Sequence, residues 1–388
     1  MTCPQCQADA RCKGFRARAA LTLLGAVRFT RHYYHCTHCG QGVSPLDQAL
    51  GLSAADLTPA ADEVVCLAGV QDSFATAATK VLARLSGLRL SESTAERATE
   101  AAGLRAAAAQ AAGATFGPPV RWRWHADAEG KSVAYVSVDA TGVGQQGPGG
   151  AAAEGRMAYV GMIYNPVPDD RARWAEPSGP RPAWQARYVA QVRPLADLAG
   201  PLRRQGGQVG MDQAERWIAL ADGGSGLEDF LRANFPRVEA VIVDFYHVTE
   251  YLGKLAKALH PGREKEAEVW RQQWCKRLKA QGGRAVLAAL RGLDLRGKSR
   301  AVREVHREVV TYFENQQGRM DYPSYVAKGW QIGSGPVESA CKTVVGQRLK
   351  GAGMRWGEEG AHALCHVRAL YRSEKGQWEA FWQRRPAA

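Results

Sequence analysis

The clearest patterning of apolar and polar positions lies in the middle of the chain. Over Lys131–Asp139 the sequence KSVAYVSVD alternates and is rich in β-branched residues, which predicts a strand. Met157–Tyr164 and Gln185–Val192 read as two more strands, the second after a Pro- and Trp-bearing excursion over Pro166–Pro182. Leu195–Gln205 predicts a helix, Glu215–Ala221 a strand, Gly226–Phe235 a helix and Val238–Val243 a continuously apolar strand. Upstream, residues 59–112 are rich in Ala, Leu, Glu and Arg and read as helical, with Pro59 placed to start a helix. Ser91 is an N-cap candidate there, and a helix pair over about 73–86 and 91–102 resembles a helix-turn-helix. Downstream, residues 245–330 read as long basic helices carrying Trp270 and Trp274.

The order β-β-β-α-β-α-β constrains the fold. Three antiparallel strands followed by two αβ units describe an α/β, RNase H-like mixed sheet, with its first and fourth strands adjacent and parallel. Asp139 closes the first strand, Asp222 follows the fourth and Asp244 follows the last. Asp139 and Asp222 would then meet at one sheet edge, where paired carboxylates can bridge hard divalent cations. Asp222-Gly223 is also a good turn dipeptide, and Asp244 is a natural N-cap for a helix beginning near Tyr246. The stretch Gly142-Val143-Gly144-Gln145-Gln146-Gly147 matches GxGxxG after a strand. A dinucleotide crossover needs a helix before the next strand, and Pro148-Gly149-Gly150 leaves no room for one. An antiparallel hairpin with a glycine loop is expected instead.

Cysteine spacing adds a second site. Cys3-Pro4-Gln5-Cys6 and Cys36-Thr37-His38-Cys39 are two CxxC pairs separated by 29 residues. Each pair can offer two corners of a tetrahedron, the arrangement of a structural zinc thiolate site. Leu21–Thr30 and Arg31–Cys36 read as strands between them, with Gly25 at a hairpin turn, so residues 1–50 are expected to form a zinc ribbon. Cys12, His35 and His38 are the available substitutes for one ligand. His362 and His366 flank Cys365 at helical spacing but have no fourth ligand nearby and read as an ordinary helix face.

Composition changes the picture only when it is divided. The formal charge is +13, and residues 245–388 carry 26 Lys and Arg against 14 Asp and Glu. Residues 51–244 carry 19 against 22, and residues 1–50 carry 6 against 2. Basic ends suit a phosphate backbone, and a nearly neutral middle suits carboxylates that hold a metal. No stretch reaches the roughly 18 apolar residues of a membrane span, and no secretory signal is visible, so a cytoplasmic protein with reduced thiols is expected.

Toward the C-terminus, Gly333-Ser334-Gly335-Pro336-Val337-Glu338-Ser339 places Pro336 at the start of a helix and Glu338 in its first turn. This segment, with Asp139-Ala140-Thr141-Gly142, Ala221-Asp222-Gly223 and Asp244-Phe245-Tyr246-His247, resembles the DDE transposases of bacterial insertion sequences. The ISKra-type group is the most similar, with Mutator-like enzymes as relatives. The likeness covers nearly the whole chain, including the paired CxxC, Pro45-Leu46-Asp47 and Leu57-Thr58-Pro59. The resemblance implies metal-dependent cleavage at the ends of a DNA element and strand transfer into target DNA. Asp139, Asp222 and Glu338 would carry two Mg²⁺ ions, or Mn²⁺, with His247 nearby and Asp244 as the alternative second carboxylate. It departs from the usual Asp-Gly-Thr-Gly at Ala140 only.

Five segments follow: a zinc ribbon at 1–50, a helical DNA-binding region at 51–115, the catalytic core at 116–250, a basic helical insertion at 251–328 and the final core helices at 329–388. Lys342, Arg348, Lys350 and Arg355 follow Glu338 and are the expected DNA contacts. The partners would be double-stranded DNA, as terminal inverted repeats and target, and further copies of the chain on that DNA, close to the bacterial nucleoid. Two other readings use the same parts: a non-catalytic zinc-ribbon DNA-binding protein, and a structure-specific nuclease.

Overall fold

The computed structural model describes residues 1–166, 185–224, 226–374 and 376–383. The Pro166–Pro182 excursion lies almost wholly outside them. Strands β1 (Ala10–Thr22) and β2 (Gly25–Cys36) form an antiparallel hairpin, with β3 (Gly42–Val43) added to β2. The hairpin is longer than its sequence suggests. The first strand begins at Ala10, and the turn falls at Leu23-Leu24, with Gly25 opening β2 at φ 117°. Most of β1 is exposed on both faces, so the alternation that betrays a half-buried strand is missing there.

The middle of the chain builds a mixed sheet. Its strands are β4 (His125–Ala126), β5 (Ser132–Gln146), β6 (Ala152–Asn165), β7 (Gln185–Gln191), β8 (Arg216–Ala221) and β9 (Val238–Val243). The order is β7-β6-β5-β8-β9, with β4 paired to β5. β6 is antiparallel to both β5 and β7, while β5, β8 and β9 run parallel. The expected adjacency of the first and fourth strands is therefore present, in the register Val133↔Arg216 to Ser137↔Leu220. The glycine-rich stretch after Asp139 continues β5 as far as Gln146 and turns back into β6 as a hairpin, with no crossover helix.

Alternation along β5 sends its side chains into two cores. Ala134, Val136 and Val138 pack with Leu202 and Leu231 from the helices Ala199–Gln208 and Leu227–Asn234. Val133 and Tyr135 face the opposite layer with Leu220 and Ile242, under the helix Glu358–Arg372. The N-terminal helices share that second core. Leu57, Val65, Leu82, Ala98 and Ala102 belong to the same cluster as Tyr135 and Leu364, so residues 51–115 do not close on a core of their own.

The helix Glu92–Ala111 explains how this is done. Ser91 caps it as expected, its hydroxyl accepting from the Thr94 amide at 3.2 Å. Its buried stripe is Ala95, Ala98, Ala102, Gly103 and Ala106, small residues that let another helix approach closely. A Cβ on Gly103 would stand 2.2 Å from the Ala363 carbonyl oxygen, so the two backbones touch there. Its outward face carries Glu92, Glu96 and Arg97, with Glu100 half-buried. The segment between β9 and Glu338 forms the helices Phe245–Leu259, Glu264–Arg291, Arg300–Gln316 and Tyr322–Ala327. Among the described residues no helix is long and apolar enough to cross a membrane.

Candidate metal centres

Two ligand sets stand out, and they are built differently. At the N-terminus the Sγ atoms of Cys3, Cys6, Cys36 and Cys39 all lie within 4.8 Å of one another. Cys3 and Cys39 are 3.6 Å apart and Cys6 and Cys36 3.5 Å. A tetrahedron with zinc–sulfur arms of about 2.3 Å has edges of about 3.8 Å, so the four thiols can hold one metal ion such as zinc. The knuckle backbone prepares them for charge. Amide hydrogen bonds, that of Cys6 foremost, bring the Cys3 thiol down to about 7, and the Cys39 amide does the same for Cys36 in direction. The Cys6 thiol is pushed up to about 12 even though the Ala8 amide favours its thiolate, because burial and the sulfurs of Cys36, Cys39 and Cys3 oppose a further charge. A cation among four thiolates would relieve that opposition. Cys12 is exposed and pairs with His32 at 3.7 Å, away from this set.

The second set sits where β8 and β9 end, beside the middle of β5. Asp139 lies two residues beyond Ser137 on β5, and Asp222 lies two beyond its register partner Leu220 on β8. The Ser137 hydroxyl donates to the Leu220 carbonyl at 2.5 Å, locking the two strands just before their carboxylates. Opposite them, Glu338 projects from the short helix Gly335–Ala340, which Pro336 begins. The chain then forms a π-helical stretch, Cys341–Gly346, a local widening that often marks functional sites. Asp139, Ala140, Thr141, Glu338, Cys341, Lys342, Gly346 and Lys350 line an open cleft of about 410 Å³ between the sheet edge and this helix.

Electrostatics bind these groups into one site. Burial, opposed by the Ala140 amide and reinforced by the Asp222 charge, lifts the Asp139 carboxyl above its ordinary range. Glu338 is raised as well: the Ser334 hydroxyl, 2.7 Å away, favours its charged form, but burial and the carboxylates of Asp244 and Asp139 outweigh it. These acids repel one another, the condition a divalent cation would reverse. All their donors are hard oxygens, which suits Mg²⁺ or Mn²⁺. They do not converge as the thiols do. Among the described residues the cysteine set alone brings three or more such ligand atoms within 4.8 Å of one another.

Asp222 and Asp244 differ in burial and in hydrogen bonding. Asp244 is fully buried, and its carboxylate accepts from the amides of Tyr246, His247 and Ser334, each at 3.0 Å. It caps the Phe245–Leu259 helix and pins the Ser334 loop to it, so its lone pairs are largely committed. Asp222 accepts one bond, from the Gly224 amide at 2.8 Å, and is half-exposed beside Asp139. His247 is also half-exposed, and its ring lies 5.6 Å from that of Tyr251.

The expected DNA contacts divide. Lys342 and Lys350 line the cleft, and the Lys350 ammonium donates to the Thr141 hydroxyl at 2.9 Å. Arg355 reaches the hairpin tip, donating to the Gly150 carbonyl at 3.1 Å. Arg348 does not belong with them. It is 2% exposed, donates to the Gly69 carbonyl at 2.8 Å and packs on Phe74 and Trp356 at 4.4 and 4.9 Å. With Arg368, which reaches the Val70 carbonyl, it closes the C-terminal end of the Pro59–Gln71 helix. His366 is buried against Gln110 at 2.7 Å, and burial drives its pKa down to about 3.

Three residues that touch the acidic groups or the turn beside them carry no assigned role in the sequence pattern: Cys341 lines the cleft, Ser334 holds Glu338 and Tyr312 stands against Gly223. Ser334 stands four residues before Glu338 and Cys341 three after, so helical spacing alone could have found both. The Cys341 thiol hydrogen-bonds to Asp139, and burial foremost raises its pKa. Tyr312 comes from a distant helix and had no local signal. No protein-family model matches the chain, and no curated protein sequence does either.

Proposed function

We propose that this protein is a DNA transposase of the DDE type, cutting at the ends of a DNA element and joining them to target DNA on an RNase H-like core. One observation carries the reading. Asp139 on β5 and Asp222 just past β8 each lie two residues beyond the Ser137–Leu220 pair of two adjacent parallel strands, and Asp139 lines one cleft with Glu338, Lys342 and Lys350. The strand order, with β6 as the antiparallel member between β5 and β7, supports the RNase H-like assignment.

Asp139, Asp222 and Glu338 would hold two divalent cations. Bound there, the cations would supply Lewis acidity to the attacking and leaving oxygens of a phosphodiester. The chain's own residues do the positioning. Ser334 orients Glu338, the Ala140 and Gly224 amides orient Asp139 and Asp222, and the Lys342 and Lys350 ammonium groups receive the phosphates beside the cut. In the first step a water oxygen joins the phosphorus and the bond to the 3′-oxygen breaks, leaving a 5′-phosphate and a 3′-hydroxyl. In the second, that 3′-oxygen attacks a target phosphodiester, forms a new P–O bond, loses its proton and displaces a 3′-hydroxyl of the target strand. The energy of one phosphodiester is conserved in the other, so joining needs no nucleotide cofactor.

The four thiols at the N-terminus would carry a structural zinc, and the basic hairpin they anchor would sit on the same DNA. The reading is tested by incubating the full-length protein with Mg²⁺ and duplex DNA taken from either flank of its gene. Discrete 3′-hydroxyl ends at the element boundary are expected. Binding of that DNA with no cleavage in Mg²⁺ or Mn²⁺ would instead favour the non-catalytic DNA-binding protein.

A further inference from the structure

The helical insertion does more than add basic surface. Tyr312, Gln316 and Arg319 follow one another at spacings of four and three, along the last turns of the Arg300–Gln316 helix and the turn after it. Tyr312 and Gln316 touch the turn that carries Asp222, and Arg319 touches the helix that follows it. The Tyr312 ring occupies the space beside Gly223, where an added Cβ would stand 2.7 Å from both the ring and its hydroxyl oxygen. The Gln316 amide donates to the Gly223 carbonyl at 3.4 Å. Arg319 is 6% exposed and pairs with Glu228 at 3.0 Å, in the first turn of the helix that follows the Asp222 loop. Behind Tyr312, the Tyr251 ring is stacked at 3.8 Å with 12° between planes, which backs the ring against movement.

From this we infer that the insertion is a positioning device for Asp222: Tyr312 and Gln316 clamp the Asp222-Gly223-Gly224 turn, Arg319 ties down the helix after it, and together they fix where the Asp222 carboxylate stands relative to Asp139. The two glycines are then explained by separate contacts. Gly223 leaves room for the Tyr312 ring, and Gly224 leaves room for Asp222 itself, since a Cβ there would stand 2.7 Å from the Asp222 Oδ1 that accepts the Gly224 amide. A carboxylate on a free loop end would pay conformational entropy each time a cation bound; a clamped one does not. The inference rests on the proposed role of Asp222 as a metal ligand.

Mn²⁺ binding to the full-length protein, followed by titration calorimetry and by the spin signal of the free ion, tests it without any DNA. Tyr312→Ala is expected to weaken Mn²⁺ binding by about tenfold or more, the scale on which partners behind a metal ligand act. Tyr312→Phe keeps the ring and is expected to bind like the unsubstituted protein. Gly223→Ala pushes on the ring and is expected to be harmful alone, yet to cost nothing further in the Tyr312→Ala background, because the two changes act through one contact. Unchanged Mn²⁺ affinity in Tyr312→Ala, while Asp222→Ala loses it, would overturn the clamp and leave the role of Asp222 standing. Unchanged affinity in Asp222→Ala would remove the ligand itself and with it the basis of both. If Gly223→Ala does not fold, the Tyr312→Ala and Tyr312→Phe pair decides the matter alone.

Discussion

The cysteine set and the acidic cleft both gather side chains of a kind that can hold a metal, yet in one they converge and in the other they stand apart. Four sulfurs lie within 4.8 Å of one another on knuckles whose amides stabilise two of them as thiolates. Around them there is almost no apolar core: the buried cluster of that hairpin is Cys3, Ala10 and Cys36. The carboxylates are the reverse. They stand at the edge of a sheet with large apolar layers on both faces, and each is tied by its own hydrogen bond, Asp139 to Ala140, Asp222 to Gly224 and Glu338 to Ser334. Where the fold cannot stand without the ion, the ligands close around it. Where the fold stands alone, the ligands can stay apart and leave positions for a substrate.

The largest expected effect follows from the first half of that contrast. Structural zinc contributes about 10–16 kcal/mol in small thiolate domains. Chelation, or Cys36→Ser, should therefore unfold the β1–β2 hairpin while the sheet persists. Hydrogen exchange is the check: amides of Ala10–Cys36 should lose protection on chelation, and those of β5 and β8 should keep it. Equal loss in both regions would erase the distinction between them.

The cleft should fail in the opposite manner, in chemistry with its fold kept. Asp139→Ala, Asp222→Ala or Glu338→Ala is expected to lower Mg²⁺-dependent cleavage by on the order of 10³-fold or more, since losing a ligand removes several kcal/mol of charge stabilisation. Circular dichroism should be unchanged. Asp244→Ala is the contrasting case: it leaves three amides without their acceptor, so it should lower stability as well as activity. A fully stable but inactive Asp244→Ala protein would move the second ligand from Asp222 to Asp244.

How much of this the sequence disclosed depends on the range of the interactions. The sheet is legible because β5 and β9 each carry a run of buried apolar residues and β5 turns back into β6 through a short glycine loop. Asp222 and Glu338 stand where an element ends or begins, as the sequence suggests, whereas Asp139 does not close its strand but lies inside β5, which runs on to Gln146. The hairpin β1–β2 was misread in its limits because residues such as Arg11, Lys13 and Arg16 are exposed and carry no burial pattern. Arg348 was read as a surface cation because its charge is visible in sequence, whereas its burial depends on Phe74 and on the end of a helix nearly three hundred residues earlier. Tyr312 depends on a contact with Gly223 that no local pattern encodes.

Acidity sharpens the comparison further. The folded protein raises the Asp139 carboxyl, chiefly by burial, so the folded chain holds that proton more tightly than the unfolded chain does. Below the ordinary carboxylate range both forms are protonated and the site costs nothing. As pH rises through the raised value, the folded form acquires a buried charge and the metal-free protein loses stability. Asp139→Asn should therefore be more stable than the unsubstituted protein at neutral pH without divalent cations. The advantage should fade as pH falls toward 4, and Mg²⁺ should narrow it at neutral pH. Urea unfolding at several pH values measures it, and an advantage that grows on acidification would show the carboxyl to be lowered instead.

The smallest effects separate the cations around the cleft. Lys350 stands at its rim beside Thr141, so Lys350→Ala should weaken DNA binding uniformly and reduce the dependence of log K on log salt by about 0.9, the share of one phosphate contact. Stability should be unchanged. Arg348→Ala should leave that slope untouched, because the side chain is spent on the Gly69 carbonyl and two aromatic rings. It should instead lower stability by about 1–3 kcal/mol, the cost of leaving a buried acceptor unpaired. The two residues lie two positions apart in sequence and carry the same charge. If Arg348→Ala changed the salt slope and Lys350→Ala changed stability, the burial that assigns one to the fold and the other to the DNA would be wrong.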